Sequence, residues 1–344
     1  DGVSLYPSAC ERLGKEYGGF LKGRPKVLKY NTLNMDFLNN QSGYFVKIKV
    51  LEVGKKLHFP LMSYINDDGV RVFTNAMEGK FMFVDKTTLE DLIKFQKIEF
   101  SLIQGYYYDE GRNNQIQKTI RKLFNLRLQK KKEKNPIQIV YKLIMNASYG
   151  KCLLKCIETN DRVINGKDNL WKFVQKNYNL IKEITPLFGT QKFIVKTIES
   201  IKNHFNNCPA GVEILSMSKR IMNEVMVLAE DLGLTIYYQD TDSMHIEYDD
   251  VKILKEKFKE KYGRELDGKD LGQFHIDFDL DKSVGEIKSI KSVFLGKKCY
   301  MDILESKDKD GNIINGSHLR MKGIPNQSIN YTCKKLNKTP YELY

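Results

Sequence analysis

The alternation of apolar and polar residues between about 43 and 108 is the first clear pattern in the chain. Its first run places Tyr44, Val46, Ile48 and Val50 on one face, and turn signals follow at 66–69 and 78–79. A period of two residues is typical of strands that bury one face. The pattern therefore predicts a small strand-rich insert.

Helical spacing follows this insert. We predict a helix over about 112–133 and a second one opened by the cap and first-turn proline at 135–136. In the second helix, apolar residues recur at i, i+3, i+4 and i+7, namely Val140, Leu143, Ile144 and Ala147. This spacing predicts a core face.

The same helix also carries a polar face. Lys142, Asn146 and Tyr149 recur at i, i+4 and i+7. A helix that presents a cation, an amide and a phenol on one side is suited to hold a polar ligand. The following stretch, 151–212, is poorly periodic, and we predict only that it is partly helical.

The C-terminal half combines a long helix, a hairpin and a strand-rich end. The long helix is predicted to open at Ser216 or Ser218 and to end at Gly233. Residues 234–248 predict a hairpin with carboxylates at its turn, and a Lys-rich helix follows. The region 270–324 is again typical of strands.

Composition narrows the class of protein. The chain has 344 residues, of which 41% are hydrophobic and 8 are proline, so a disordered or collagenous chain is excluded. This length predicts about two or three folding units. The mean hydropathy of −0.45 and the lack of an apolar run of ~18 residues predict a soluble protein without a membrane helix. A net charge of +13 indicates an anionic partner.

The six cysteines predict no metal site. They stand at 10, 152, 156, 208, 299 and 333, without a CxxC pair. Cys152 and Cys156 are four residues apart, but two soft ligands without two more favour buried thiols over zinc. The start, DGVSLYPSAC, has no secretory signal. We therefore predict an intracellular, reducing compartment and no zinc.

Three segments far apart in sequence hold polar groups that a fold alone does not require. They contain Asp1, then Lys142 with Asn146, and then Asp240 with Asp242. Carboxylates at a strand end and in a hairpin turn suit two Mg²⁺ ions, which clamp the oxygens of an in-line phosphoryl transfer. Taken singly, Asp-Thr-Asp is more often a capping turn, and Lys142 a lysine lying along its helix. Jointly, the segments favour phosphoryl-transfer chemistry.

The motifs in these segments resemble those of family B DNA polymerases. Residues 1–8 read DGVSLYPS, similar to motif A, DxxSLYPS. Residues 142–150 read KLIMNASYG, similar to motif B, KxxxNSxYG, with AS where the family usually has S and a variable residue. Residues 238–243 read YQDTDS, similar to motif C, YxDTDS, and 297–300 read KKCY, similar to the KKxY element.

This resemblance covers about 1–325 and implies an α+β fold, with a polymerase palm on an antiparallel sheet, helical fingers and the strand-rich insert. The insert and the sequence before motif B are most similar to the protein-primed branch of viruses, mobile elements and linear plasmids. The predicted regions are a first palm segment (1–30), the insert (31–111), the fingers (112–150), a second palm segment (151–325) and the start of a truncated thumb (326–344).

The resemblance also implies catalytic roles. Asp1 and Asp242 match the two aspartates that bridge the metal ions, and the Gly2 carbonyl matches a further metal ligand. Asp240 matches the first aspartate of motif C, which lies near the metals.

The nucleotide and the primer end have their own implied contacts. The implied nucleotide-binding residues are Ser4, Leu5, Tyr6, Arg127, Lys131, Lys142, Asn146 and Tyr149. The sequence does not choose between Arg127 and Lys131 as the second phosphate contact. Tyr6 is implied to be the steric gate that excludes a ribose 2′-OH. The implied DNA-binding residues are Lys297, Lys298 and Tyr300, which hold the primer end.

The implied function is that of a DNA-directed DNA polymerase, a nucleotidyltransferase of DNA replication that extends a primer 3′-OH. Two Mg²⁺ ions, with Mn²⁺ as a substitute, are the implied cofactors. The implied partners are primer-template DNA, deoxynucleoside triphosphates and a priming protein, with no membrane. A non-catalytic nucleic-acid-binding remnant or fragment is the alternative, and the intact Asp1, Lys142 and Asp242 argue against it.

Both ends depart from the family's pattern. Such polymerases usually carry an exonuclease domain ahead of motif A, whereas here the motif A aspartate comes first. An α-ammonium with a pKa of ~7.7–8.0 is an unfavourable group on a metal ligand, so we expect a fragment, or a processed or split chain. About 20 residues follow Pro325, too few for a thumb, so we expect a weak grip on the duplex.

Overall fold

The computed structural model describes residues 1–154, 159–198 and 206–344. These residues form two compact units, a first unit of 1–117 and 216–344 and a second unit of 118–215. In the described ranges, no helix is long and apolar enough to cross a lipid bilayer. Cys156, considered above as a metal ligand, lies outside the described residues.

Helices and antiparallel strands alternate along the chain. The helices are α1 (Leu5–Tyr17), α2 (Met35–Asn39), α3 (Lys86–Asp91), α4 (Gln115–Lys132), α5 (Gln138–Cys152), α6 (Lys167–Asn177), α7 (Cys208–Asp231), α8 (Asp250–Tyr262), α9 (Asn326–Leu336) and α10 (Pro340–Leu343). The strands are β1 (Phe20–Leu21), β2 (Lys26–Val27), β3 (Gly43–Val53), β4 (Ser63–Ile65), β5 (Arg71–Phe73), β6 (Phe81–Asp85), β7 (Ile98–Tyr108), β8 (Arg112–Asn113), β9 (Thr159–Asn165), β10 (Ile181–Pro186), β11 (Lys192–Ile198), β12 (Ile236–Asp240), β13 (Ser243–Ile246), β14 (Lys288–Gly296), β15 (Cys299–Lys307) and β16 (Ile313–Met321). The predicted α+β class is confirmed.

A four-stranded sheet of order β2-β7-β3-β6 has three of its strands, β3, β6 and β7, in the predicted insert. Its central strands, β3 and β7, pair from Gly43 opposite Tyr108 to Val53 opposite Ile98. The predicted alternation is confirmed, since the inward residues Tyr44, Val46, Ile48 and Val50 of β3 are at most 1% exposed and pack in the same core as Leu38. Burial of apolar area is the main stabilising term for such a sheet.

The β12–β13 hairpin lies beside α7 and α8 in the first unit. Val225 of α7 packs with Leu254 and Phe258 of α8 in one buried cluster. The hairpin and the Lys-rich helix are confirmed. The predicted start of the long helix is wrong, because α7 begins at Cys208. The side chain of Asn207 caps this end, since it accepts a hydrogen bond from the backbone N–H of Ala210.

A three-stranded sheet, β14-β15-β16, follows the hairpin in the same unit. β15 is central and pairs with β14 on one side and β16 on the other. The strand-rich region predicted for 270–324 is thus confirmed from Lys288 onward. The central strand carries Tyr300, the tyrosine of the KKxY element.

The second unit differs most from the sequence prediction. Helices α4 and α5 are confirmed, but the predicted core face of α5 is wrong. Leu143 is 62% exposed and Ile144 is 51% exposed, whereas Met145 is buried. Periodicity determines which residues share a helix face, but burial requires a second element packed on that face. In the described part of the poorly periodic 151–212 stretch, β9, β10 and β11 form a sheet of order β10-β11-β9, and α6 follows β9.

Candidate active site

The start of the chain is held between the motif C hairpin and the segment around 274. The Gly2 N–H donates to the carbonyl of Asp242 at 2.7 Å, and the His275 N–H donates to the carbonyl of Asp1 at 2.9 Å. The first bond joins the Asp1 segment to the Asp242 segment, and the second joins it to the segment around 274.

The motif C turn is strained. Asp240 pairs with Ser243, so Thr241 and Asp242 form the two-residue connection of the hairpin. Thr241 has a φ of 55°, a left-handed conformation that is unfavourable for a β-branched residue. Ser4 of motif A and Lys298 of the KKxY element also have positive φ values, 52° and 59°. Backbone strain of this kind concentrates at functional sites.

Most carboxylates of the site have no lysine or arginine partner among the described residues. Burial raises the pKa of Asp242, the α-ammonium of Asp1 lowers it, and the charges of Asp240 and Asp277 raise it. Within the described residues, no lysine or arginine lies within 4 Å of the carboxylates of Asp1, Asp242 or Asp277. An accumulation of like charge costs stability unless a cation binds, so the arrangement suits an external cation.

Sequence reasoning missed two residues here, His275 and Asp277. Asp1, His275 and Asp277 each place a ligand atom within 4.8 Å of the others. The missed signal is the His-x-Asp spacing, because alternate residues of an extended segment point the same way. The carboxylates fit a hard divalent ion such as Mg²⁺, which prefers oxygen ligands.

Helix α1 presents its N-terminus at the same segment. Leu5 is the first helical residue, and the Ser4 side chain makes no capping hydrogen bond. Ser8 instead fixes the preceding loop, because its Oγ donates to the Val3 carbonyl at 2.7 Å and accepts from the Gly272 N–H at 2.8 Å. The N–H groups and dipole of a helix start favour anions. Tyr6, in this first turn, is half-buried.

The KKxY element contacts motif C directly. Lys298 Nζ donates to Asp240 Oδ2 at 2.6 Å, and the backbone N–H of Lys298 donates to the Tyr238 hydroxyl at 2.8 Å. The bond to Asp240 raises the pKa of Lys298. Tyr300 is buried, with its ring centroid 4.8 Å from that of Tyr238. Lys297 is exposed.

One cleft of the first unit joins these groups. Its volume is about 970 Å³, and Asp1, Asp242, Lys298, Tyr300 and Arg320 are among its lining residues. The cleft thus contains carboxylates, from Asp1 and Asp242, as well as cationic and phenolic groups, from Lys298, Arg320 and Tyr300. Both kinds of group suit a site for a metal-bound polyanion.

The remaining predicted residues lie in the second unit. Arg127 and Lys131 are on α4, where burial lowers the pKa of Arg127 and Lys131 is exposed. Lys142 and Asn146 are exposed on α5, and Tyr149 is half-buried. The helical spacing of this polar face is confirmed, whereas its nucleotide-binding role and the choice between Arg127 and Lys131 stay predictions.

The sequence of the chain is similar to known DNA polymerases. The sequence profile of the family described as "DNA polymerase type B, organellar and viral" matches residues 1–228. A segment of 29 residues, 8% of this chain, is 72% identical to the DNA polymerase of Acidianus bottle-shaped virus (isolate Italy/Pozzuoli), of which it covers 4%.

Solved structures of phi29 DNA polymerase share the fold. The complex with primer-template DNA and incoming nucleotide substrates matches with a TM-score of 0.59 and 17% identity over 96% of this chain and 51% of the phi29 chain. The post-translocation binary complex with primer-template DNA matches with a TM-score of 0.55 and 14% identity over 96% of this chain and 50% of the phi29 chain. This chain thus spans about half the length of phi29 polymerase. With two thirds of its sequence matched by the family profile, the chain belongs to the type B DNA polymerases of the organellar and viral group.

Proposed function

We propose that this chain is the catalytic core of a DNA-directed DNA polymerase that adds deoxynucleotides to a primer 3′-OH in DNA replication. One observation carries the proposal. The Asp1 and Asp242 segments are joined by a 2.7 Å backbone hydrogen bond, and the cleft that they line also holds Lys298 and Tyr300. The contiguity of motif A, motif C and KKxY supports polymerase chemistry over a remnant that only binds nucleic acid.

The metal site of this proposal consists of oxygen ligands. Asp1, Asp242 and the Gly2 carbonyl would hold two Mg²⁺ ions, with Asp277 as an added carboxylate. When bound, such ions neutralise charge on the transferring phosphoryl group and on the attacking and leaving oxygens. The unpaired carboxylates suit this role, because each bound ion relieves their mutual repulsion. Mn²⁺ would serve as a substitute ion.

The incoming nucleotide would lie at the start of α1. The backbone N–H groups of Ser4, Leu5 and Tyr6 suit a triphosphate, since a helix N-terminus favours anions. The Tyr6 ring would fill the space of a ribose 2′-OH. Lys142, with Arg127 or Lys131, would bind phosphates, and Asn146 and Tyr149 would line the new base pair.

The primer end would be held by the KKxY element. Lys297 and Lys298 supply positive charge for DNA phosphates, which give affinity without reading sequence. Tyr300 is fixed against Tyr238, so its position relative to the motif C turn is defined. A priming protein is a further proposed partner, because the resemblance is to the protein-primed branch. We also propose that residues 30, 111, 150 and 325 end the first palm segment, the insert, the fingers and the second palm segment, and that the thumb begins after 325.

Primer extension with an Asp242→Asn variant tests the proposed function. We expect template-dependent extension by the wild type with Mg²⁺ at low salt and a loss of at least about a hundredfold in the variant, because a metal ligand is removed. Asp310→Asn, in the exposed turn between β15 and β16, is the matched control and should extend normally. Salt-sensitive duplex binding without extension by the wild type would favour the remnant instead.

Sugar selection tests the role of Tyr6. Tyr6→Ala should admit ribonucleotides, with a drop of about a hundredfold in discrimination, because the ring no longer occupies the 2′-OH space. The ratio of kcat/KM for deoxy- and ribonucleotides measures this effect. Tyr30→Ala, at a tyrosine that is 98% exposed, is the control. Unchanged discrimination in Tyr6→Ala would remove the gate role.

A further inference from the structure

A contact between His245 and Asp302 joins the motif C hairpin to the sheet that carries Tyr300. Asp302, two residues after Tyr300 on β15, is 0% exposed. One of its oxygens accepts hydrogen bonds from the hydroxyls of Ser292 (2.6 Å) and Ser289 (3.2 Å), both on β14. Its other oxygen, Oδ2, lies 3.5 Å from Nε2 of His245. His245 is on β13, directly opposite Tyr238 of β12.

The chemistry of this pair is unusual for a buried position. In the part of the chain that the structure describes, no group hydrogen-bonds Asp302 Oδ2 or His245 Nδ1. Burial disfavours the charged form of Asp302, yet His245 and Ser292 outweigh it and keep the pKa of Asp302 below its usual value. A buried carboxylate holds the groups that stabilise it in place, because moving any of them away leaves a buried charge less well compensated.

His245 is also the centre of an aromatic cluster. Its ring centroid lies 5.2 Å from those of Phe294 and Tyr300 and 5.7 Å from that of Tyr238. Any shift of the imidazole therefore displaces the rings of both Tyr238 and Tyr300, since such interiors are close-packed. Among the further links between these elements, the ion pair of Lys298 with Asp240 is partly exposed and contributes little rigidity.

We propose that His245 and Asp302 form a positioning pair that sets the distance between the motif C carboxylates and Tyr300, and thereby the placement of the primer 3′-OH. This inference rests on the proposed function and adds two positioning residues to it. Neither side chain belongs to the α1 segment assigned to the nucleotide. Loss of the pair is therefore expected to change the rate of the chemical step and the binding of the primer end, and to leave the KM for nucleotide unchanged.

The experiment uses the full chain and variants that differ in one hydrogen-bond donor. His245→Gln keeps an amide N–H near the Nε2 position, whereas His245→Asn places its amide near Nδ1 and so removes the donor that faces Asp302. Asp302→Asn and the double variant His245→Asn/Asp302→Asn complete a double-mutant cycle, which measures the coupling between the two side chains. Glu305→Gln is the matched control, because Glu305 is on the same strand as Asp302 and the change breaks a partly exposed pair with Lys288 of β14.

Two readouts are measured for each variant, the single-turnover extension rate at saturating nucleotide and the fluorescence of 2-aminopurine at the primer terminus. We expect His245→Asn and Asp302→Asn to lower the rate about tenfold and to change the 2-aminopurine signal, because the reacting 3′-OH is misplaced. His245→Gln should stay within about twofold of the wild type, and the double variant should be no slower than either single variant.

The possible failures are distinguishable. If His245→Asn lowers only the melting temperature, or if His245→Gln is as slow as His245→Asn, the pair is merely structural and the inference is overturned. If the wild type does not extend a primer, or Asp242→Asn extends as fast, the proposed function fails. The 2-aminopurine signal still decides the inference in that case, because it reports the primer end without turnover, and equal signals in all variants would overturn it.

Discussion

The first unit gathers charged residues in two places that are organised in opposite ways. The buried ion-pair cluster lies between α1, α3 and α7 and contains Arg12, Asp91, Arg220, Glu224 and Arg264. The carboxylate cluster contains Asp1, Asp240, Asp242 and Asp277 and lines the cleft. One cluster matches each carboxylate with a guanidinium, and the other leaves its carboxylates largely without a cation.

The buried ion-pair cluster satisfies its groups thoroughly. Glu224 accepts hydrogen bonds from both Nη1 and Nη2 of Arg12, at 2.7 and 2.5 Å, and also from Arg264. Arg220 donates to Asp91 at 2.7 Å and to the Thr87 carbonyl at 2.8 Å. Charge that is paired and hydrogen-bonded in this way fixes how helices pack.

The carboxylate cluster does the reverse, since Lys298 on Asp240 is its one lysine or arginine partner within the described residues. Like charges held together cost stability, which is typical of sites that bind a ligand rather than support the fold. The difference teaches that the pairing of charges, rather than their number, separates structural clusters from candidate sites in this protein.

The largest expected effect is on the buried cluster. Glu224→Gln should lower the free energy of unfolding by about 3–5 kcal/mol, because Arg12 and Arg264 lose their buried counter-charge. Urea denaturation at neutral pH measures it. Glu260→Gln, which breaks an exposed pair with Lys257, is the control and should change stability by less than about 0.5 kcal/mol.

The same variant has a defined pH dependence. Although burial opposes it, Arg12 and Arg264 hold the pKa of Glu224 below its usual value. A lowered pKa in the folded state gives stability that is present above the unfolded pKa of about 4.3 and is lost as the pH falls through the folded pKa. The difference in the free energy of unfolding between wild type and Glu224→Gln should thus have its full size at pH 7 and decrease below about pH 4. A constant difference down to a pH of about 3 would contradict the pairing.

Asp277 tests whether the carboxylate cluster extends beyond the motifs. Asp277→Asn should reduce primer extension about tenfold and raise the Mg²⁺ concentration needed for half-maximal rate, because a ligand or near neighbour of the ion is lost. A Mg²⁺ titration of the extension rate measures both effects. Asp279→Asn, at the aspartate two residues further on, should behave as wild type, and equal effects of the two would assign Asp277 to general surface charge.

The smallest expected effect is stabilisation by the ion itself. At about three times its Kd, Mg²⁺ should stabilise the wild type by about 0.8 kcal/mol, because it binds the folded site and relieves repulsion. Asp242→Asn should show no such gain in a thermal melt at fixed ionic strength. A gain of the same size in the variant would place the ion elsewhere.

Several features of the fold followed from the sequence alone. Alternation in β3 predicted a buried strand face, and the capping signals and helical spacing predicted α4, α5 and α8. The resemblance of DGVSLYPS and YQDTDS to motifs A and C implied that the Asp1 and Asp242 segments meet, and the backbone hydrogen bond between Gly2 and Asp242 agrees. The predicted helices and strand face succeeded because they depend on local periodicity.

Other features depended on tertiary packing. Periodicity indicated the apolar face of α5 but gave no sign that Leu143 would be exposed, because burial depends on what packs against a helix. Asp277 and the pair of His245 with Asp302 were also missed, since each of these clusters joins side chains from segments far apart in the chain. The sequence by itself therefore determined the local elements and the motif chemistry. Only the tertiary structure decided which charges are paired and which face the cleft, because pairing depends on through-space distance between residues far apart in the chain.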